Sequence, residues 1–312
     1  MAFIEVRNIE KHYKEIKAVK GISFDIEKGK VIGLLGPNGA GKSTTISMIS
    51  TLLKPDKGEV FFEGESILKN PIKIQKKLGI VPQEIALYES LSAYDNLEFW
   101  GSAYGLKKAK LKERIKEVAK LIGLEDRLKK PVKSFSGGMK RRLNIGVALL
   151  HEPELLIMDE PTVGIDPQSR NHILDTVVKL NEKGMTIIYT SHYMEEVEKL
   201  CDKIYIMDEG EIVADGDIDQ LVNLVPKNKV FKIGFNQIND DLINSVKNID
   251  GVEDVKIKDG ILIIDTNRSE KMINELVDIA SLYKLSIESV DIQRVNLETV
   301  FLHLTGKALR DE

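Results

Sequence analysis

The run Gly36-Pro37-Asn38-Gly39-Ala40-Gly41-Lys42-Ser43-Thr44 has the residue types needed to hold a polyphosphate. It follows the apolar Val31-Ile32-Gly33-Leu34-Leu35 and precedes a helical pattern through Ile46, Ile49 and Leu52. That is the strand–loop–helix context a G-x-x-x-x-G-K-[ST] phosphate loop requires. Glycines lacking Cβ permit dihedrals that turn successive N–H groups inward. The helix that starts at the loop adds its dipole and its unpaired N–H groups. Lys42 then meets the β- and γ-phosphates, and Ser43 offers a hydroxyl to Mg²⁺.

Two further groups turn a binding loop into a reaction site. Asp159-Glu160 directly follows the apolar run Leu155–Met158. A carboxylate at a strand end beside a phosphate loop can hold Mg²⁺, the role expected of Asp159. The adjacent carboxylate, Glu160, can polarise an attacking water as general base. Ser136-Gly137-Gly138 stands at the start of a long helical pattern and forms a second anion-binding helix N-terminus. One nucleotide cannot readily use both cradles of one domain. A head-to-tail dimer, in which this cradle closes on the γ-phosphate held by a partner copy, resolves the conflict.

These groups need a buried sheet beneath them. Residues 2–8 alternate as a strand, a second strand runs from Val19 to Ile26, and Val60–Phe62 begins a short hairpin. Helical periodicity dominates from Lys73 to Leu128, interrupted by a short strand that ends at Gln83. After Ser136–Gly138, strands at 155–158 and 185–189 alternate with helices, the rhythm of a parallel sheet covered on both faces. Pro226-Lys227-Asn228-Lys229 reads as a linker, and the remainder repeats β-α-β-β-α-β with Asp259-Gly260 as a hairpin turn. The expected domains are therefore residues 1–225, with a helical subdomain over about 84–150, and residues 226–312.

Composition sets bounds. The chain has 312 residues, 42% apolar and 30% charged, with a net charge of −4. This describes a globular chain and argues against a dedicated nucleic-acid binder, so no nucleic-acid partner is expected. The basic stretch from Lys107 to Lys112 has acidic neighbours and reads as a solvated helix face. The single cysteine, Cys201, lies in an apolar helical pattern and reads as core. No apolar run approaches the length of a membrane span, and Met1–Glu5 has no leader pattern. A membrane role would come through a partner.

Gly36–Thr44, Gln83, Ser136-Gly137-Gly138, Asp159-Glu160-Pro161-Thr162, Gly164-Ile165-Asp166 and His192 occur in the order and approximate spacing of an ABC transporter ATPase subunit, which residues 2–220 resemble. The resemblance implies a P-loop NTPase fold with an ABC-type helical subdomain, ATP and Mg²⁺ as ligands, and ATP hydrolysis coupled to transport. It implies that Tyr13 stacks on adenine. Gln83 would contact Mg²⁺ and the attacking water and sense the membrane subunit. Asp166 would cross the dimer interface, and His192 would contact the γ-phosphate and position Glu160. It further implies an integral membrane permease as partner, a homodimer or heterodimer of ATPase subunits, and a cytoplasmic location on the inner face of the membrane. By their chemistry, an aromatic face can hold a base, a glutamine can orient water, and His192 follows a strand that ends at the same sheet edge as Asp159 and Asp166.

Phe135 and Met139 replace the leucine and glutamine that usually flank Ser-Gly-Gly in the family, and with Lys140-Arg141-Arg142 they resemble its drug- and antibiotic-export branch. Residues 229–305 are similar to the C-terminal domain of daunorubicin-resistance-type ATPases, a ferredoxin-like α+β accessory module. The aromatics Tyr88, Tyr94, Phe99, Trp100 and Tyr104 admit two readings: helical core, expected for Phe99 and Trp100, or a groove that receives a helix of the membrane subunit. Two other functions stay open here. One is an ABC ATPase acting on DNA or ribosomes, against which stand the missing heptads between residues 83 and 136 and the single phosphate loop. The other is a motor shared among membrane partners, with the tail as regulator.

Overall fold

A computed structural model describes residues 2–225, 229–258, 260–267, 272–293 and 296–306. The chain forms two compact units, one built on the chain up to Ile218 and the other on Asp219–His303. Of the expected linker at 226–229, residues 226–228 lie outside the described residues, as does the turn residue Asp259, whereas Lys229 is already the first residue of a strand.

The first unit opens with the long antiparallel strands β1 (Ile4–Tyr13) and β2 (Ile16–Ile26). The phosphate-loop strand β3 (Val31–Leu35) and helix α1 (Lys42–Ile49) follow. Next come β4 (Lys57–Phe62), β5 (Glu65–Ser66), the single turn α2 (Pro71–Gln75) and β6 (Leu78–Val81). Three helices form the helical subdomain: α3 (Ala93–Ala103), α4 (Lys108–Leu121) and α5 (Gly137–Leu149). The rest alternates: β7 (Leu155–Met158), α6 (Pro167–Glu182), β8 (Thr186–Tyr189), α7 (Met194–Leu200), then the hairpin β9 (Lys203–Asp208) and β10 (Glu211–Gly216); α8 (Ile218–Val222) starts at the last residue of this unit and continues in the second.

A four-stranded sheet, β2-β1-β4-β5, faces a six-stranded sheet, β10-β9-β3-β8-β7-β6, in which only β10 runs antiparallel to its neighbour. Successive side chains of a strand point to opposite faces. Leu155 and Ile157 of β7 accordingly join the core shared with β1, β2, β4 and α1, while Leu156 and Met158 join the core beneath α3, α5 and α6. Both faces are covered, so the strand has no polar residue. Truncating a side chain such as Leu156, fully buried, should cost about 2–5 kcal/mol.

The helical subdomain follows from local chemistry. Ser92 and Asp95 form a reciprocal capping box that starts α3. In α4 the buried Leu111, Ile115, Val118 and Ala119 lie at helical spacing, and the lysines face out. Trp100 is half-buried against this core, but Phe99, expected inside, is 47% exposed. It stands edge-on to Tyr88, 5.0 Å between ring centres, because the core-facing positions of α3 are taken by Ala93, Leu97 and Gly101. Cys201 is core as expected: a Cβ on Gly33 of β3 would meet its Sγ at 3.0 Å, and burial pushes the thiol well up.

In the second unit, β11 (Lys229–Phe235), α9 (Asp240–Lys247), β12 (Val252–Lys258), β13 (Ile261–Thr266), α10 (Met272–Leu282) and β14 (Ile287–Gln293) precede α11 (Leu297–Thr305). The sheet order is β12-β13-β11-β14, antiparallel throughout, the ferredoxin-like arrangement. Phe231, Ile233, Leu262 and Ile264 pack with Leu242, Val246 and Leu276 of the two helices.

Candidate active site

Strands β6, β7 and β8 are parallel and in register, with Val81 opposite Met158 and Met158 opposite Tyr189. The residues two steps beyond each strand end therefore come together: Gln83, Glu160, and Ser191 just before His192. Ligands of open parallel sheets bind outside these carboxyl ends, where loops leave the strands.

Glu160 is the meeting point. Gln83 Nε2 donates to Glu160 Oε2 at 2.9 Å, and His192 Nε2 lies 2.5 Å from Oε1. Its backbone is left-handed, with φ of 47°, a conformation that costs a non-glycine residue on the order of 1 kcal/mol. Thr190 offsets this strain. Its Oγ1 accepts from Glu160 N at 2.9 Å and donates to Asp159 Oδ1 at 2.7 Å, tying both carboxylate residues to the end of β8. The hydrogen bond from His192 holds the Glu160 carboxyl below the usual carboxylate range, against the opposing effect of burial.

The phosphate loop faces this group. Gly39 and Gly41 have φ of 81° and 100°, which turn the chain into α1. At Gly36 and Gly41 a Cβ would lie 2.4 Å from the carbonyl oxygens of Met207 and Ala18, so neither position can carry a side chain. Lys42 is buried, and its Nζ donates to Gly36 O at 2.7 Å and Pro37 O at 3.0 Å. Burial lowers its pKa, opposed by the charges of Glu160 and Asp159. A cavity of about 710 Å³ is lined by Tyr13, the loop from Asn38 to Thr44, Gln83, Glu160 and His192. Tyr13 is half exposed there, so its ring face is available for stacking. Ser43, Gln83 and Asp159 offer hydroxyl, amide and carboxylate oxygens, a hard donor set that suits Mg²⁺.

Ser136 lies elsewhere, and so does Asp166, expected at the sheet edge of Asp159 and His192 but drawn away as the N-cap of α6. They line a second hollow, about 470 Å³, with Arg142, Ser169 and His172. Ser136 caps α5 through Met139 N, and Asp166 caps α6 by accepting from Ser169 N at 2.9 Å, which lowers its pKa. The two caps touch. A Cβ on Gly138 would strike Ser169 Oγ at 2.1 Å and lie 3.0 Å from Asp166 Oδ2. One chain thus assembles the phosphate loop, Tyr13, Gln83, Glu160 and His192 around one cavity, and Ser136, Gly138 and Asp166 around another.

Several supporting residues carry no sequence signal for the role they play here. Arg141 is buried and donates to Pro82 O at 2.7 Å and Gln83 O at 2.6 Å, so α5 holds the Gln83 loop directly. Thr190, at the end of an apolar strand, has no spacing that would single it out. Both are defined only by which strands become neighbours.

The ABC transporter family model matches residues 19–163. The linearmycin resistance ATP-binding protein LnrL of Bacillus subtilis is 51% identical over 310 residues, which cover 99% of this chain and all of that protein. The daunorubicin resistance ATP-binding protein DrrA3 of Streptomyces coeruleorubidus is 33% identical, covering 97% of this chain and 96% of its own length. Among solved structures, the ATP-binding cassette MJ0796, in a dimeric post-hydrolysis state bound to ADP and Pi, superposes with a TM-score of 0.63 at 27% identity, covering 69% of this chain and 98% of that one.

Proposed function

The chain belongs to the ABC transporter family as an ATP-hydrolysing subunit that drives transport, and from that membership we propose how its site works and what it serves. ATP binds in the cavity beside Gly36–Thr44, with adenine on Tyr13 and the phosphates on the loop N–H groups and Lys42. Mg²⁺, held by Ser43, Asp159 and Gln83, supplies charge neutralisation at the phosphates. Glu160 accepts the proton of the attacking water. Gln83 and His192 hold its two oxygens in place, and His192 also faces the γ-phosphate. Charge building on the transferred phosphoryl group meets Lys42, the N-terminal end of α1, and Ser136-Gly137-Gly138 of a second copy, with Asp166 at the seam.

The observation that carries this reading is the pair of contacts on Glu160 beside the phosphate-loop cavity. The separation of the Ser136 hollow from that cavity supports a composite site completed by another copy or a close relative. The test is the Glu160→Gln variant. It should bind ATP as the wild type does, accumulate as an ATP-bound dimer in size-exclusion chromatography, and hydrolyse at least about a hundredfold more slowly. Hydrolysis at the normal rate would remove Glu160 from the role of base.

The membrane partner is an integral permease, and transport of a drug or antibiotic outward is the direction that the resistance relatives support. No helix among the described residues is long and apolar enough to cross a membrane. A place on the inner membrane face through the permease fits that. Its docking groove is the exposed aromatic group of Tyr88 and Phe99, with the unpartnered Nε1 of Trp100 beside them. The second unit, which starts at Asp219, a few residues before the expected boundary at 225, is an accessory domain.

A further inference from the structure

We propose that Glu196 is a positioning residue for hydrolysis, locking the His192 loop to the segment that carries Glu160 and Asp166. The inference rests on the reading of Glu160 as base and His192 as its holder. The Glu196 side chain is fully enclosed, in the first turn of α7. Its Oε2 accepts from three hydroxyls: Ser191 Oγ at 2.7 Å, Tyr189 OH at 2.8 Å and Thr162 Oγ1 at 2.8 Å. Its Oε1 accepts from Arg170 Nε at 2.6 Å.

Two of the donors, Ser191 and Thr162, come from the two loops of the reaction site, and the other two from the end of β8 and from α6. Ser191 precedes His192, and its Oγ also accepts from Tyr193 N at 2.9 Å, so the residues on both sides of His192 are held. Thr162 lies two residues beyond Glu160. Arg170 is in the first turns of α6, where its N–H bonds to Asp166 O at 2.9 Å. Its guanidinium also sits over the Tyr193 ring, 4.2 Å from the centre.

An acidic residue in the first turn of a helix could serve the helix dipole alone. A dipole role requires neither burial nor partners on three other elements. A buried carboxylate is expensive unless it is fully paired. Here the pairing joins Ser191 of the His192 loop to Thr162 of the Glu160–Asp166 segment and to Arg170 in the helix that Asp166 caps. Movement of Asp166, the expected interface residue, would reach His192 through Arg170 and this carboxylate. The device therefore ties closure of the partner copy to the geometry of the base.

The experiment uses the full chain with Glu196→Gln and Ser191→Ala, and with Glu160→Gln beside them. ATPase kinetics and thermal melting are paired with ¹⁵N-histidine NMR, in which His192→Ala assigns the His192 ring among the five histidines. Both variants should lower kcat about ten- to a hundredfold with KM for ATP within about twofold, as misplacement of a catalytic group does. Both should also shift the His192 ring signals while those of His12 and His151 stay. Wild-type kcat and unmoved His192 signals in folded protein would overturn the proposal, whatever happens to the melting temperature. If Glu196→Gln does not fold, Ser191→Ala decides, since it removes one hydroxyl and no charge. An active Glu160→Gln would refute the base assignment instead. An inactive Glu160→Gln with unaffected Glu196→Gln and Ser191→Ala would refute this inference alone.

Discussion

Gln83 and Glu160, 77 residues apart, are joined by a hydrogen bond of 2.9 Å because Val81 and Met158 pair in register two residues earlier. The Gln83 loop is itself clamped by Arg141 of α5, so a displacement of the helical subdomain reaches Glu160 in two steps. Replacing Gln83 with Ala should lower kcat about tenfold and weaken Mg-ATP binding by at most about threefold, because the residue orients the base and water and is one of three groups that would hold Mg²⁺. Steady-state ATPase assays with a nucleotide-binding titration check this.

Lys42→Ala should lose roughly a hundredfold or more in ATP affinity, since charge-assisted bonds to phosphate are among the strongest available. The fold should survive, because the bonds Nζ makes are to carbonyls of the phosphate loop itself, Gly36 and Pro37. Equilibrium binding of a fluorescent ATP analogue, alongside circular dichroism, reads both effects.

Gly138→Ala places a methyl group 2.1 Å from Ser169 Oγ, so the cap of α6 at Asp166 must shift. ATP binding to the phosphate loop, in a different cavity, should be normal. Hydrolysis and ATP-dependent dimerisation should both fail. Chromatography of a Glu160→Gln, Gly138→Ala double variant with ATP tests the dimer separately from turnover.

The pH dependence follows from Glu160. Its folded pKa is depressed below its ordinary value of 4.5, chiefly by the His192 hydrogen bond. The stability this contributes is present above the ordinary carboxylate range and is lost as pH falls through the lowered folded value. In His192→Ala the main cause is gone. The stability gap between wild type and His192→Ala, measured by urea unfolding, should therefore be widest near neutrality and should close as the pH falls below about 4.

Phe99→Ala and Tyr88→Ala should leave the ATPase activity of the isolated subunit within about twofold, because exposed positions away from the site change stability little. Both should reduce co-purification with the permease. Pull-down from membranes holding the co-expressed permease measures the loss.

Much of the site was legible in the sequence because its chemistry is local. A phosphate loop needs glycines and a lysine at fixed spacing, and a doubly covered strand must be apolar, so Gly36–Thr44 and Asp159-Glu160 stand out from composition alone. The second unit was legible for a related reason: its alternating elements leave few antiparallel orders. The tertiary structure decided what depends on distant pairing. The register of β6, β7 and β8 selects which residues touch Glu160, and no motif gives the structural roles of Thr190, Arg141 or Glu196. It also set Phe99 outside the core, since a helix face is buried or exposed by its neighbours. Above all, it put Ser136 and Asp166 in a cavity apart from the phosphate loop; the sequence could only infer this for Ser136, and it set Asp166 at the edge of Asp159. That separation reflects the physics of a parallel sheet: its strand ends gather one set of loops, while α5 and α6 begin beside each other, away from it.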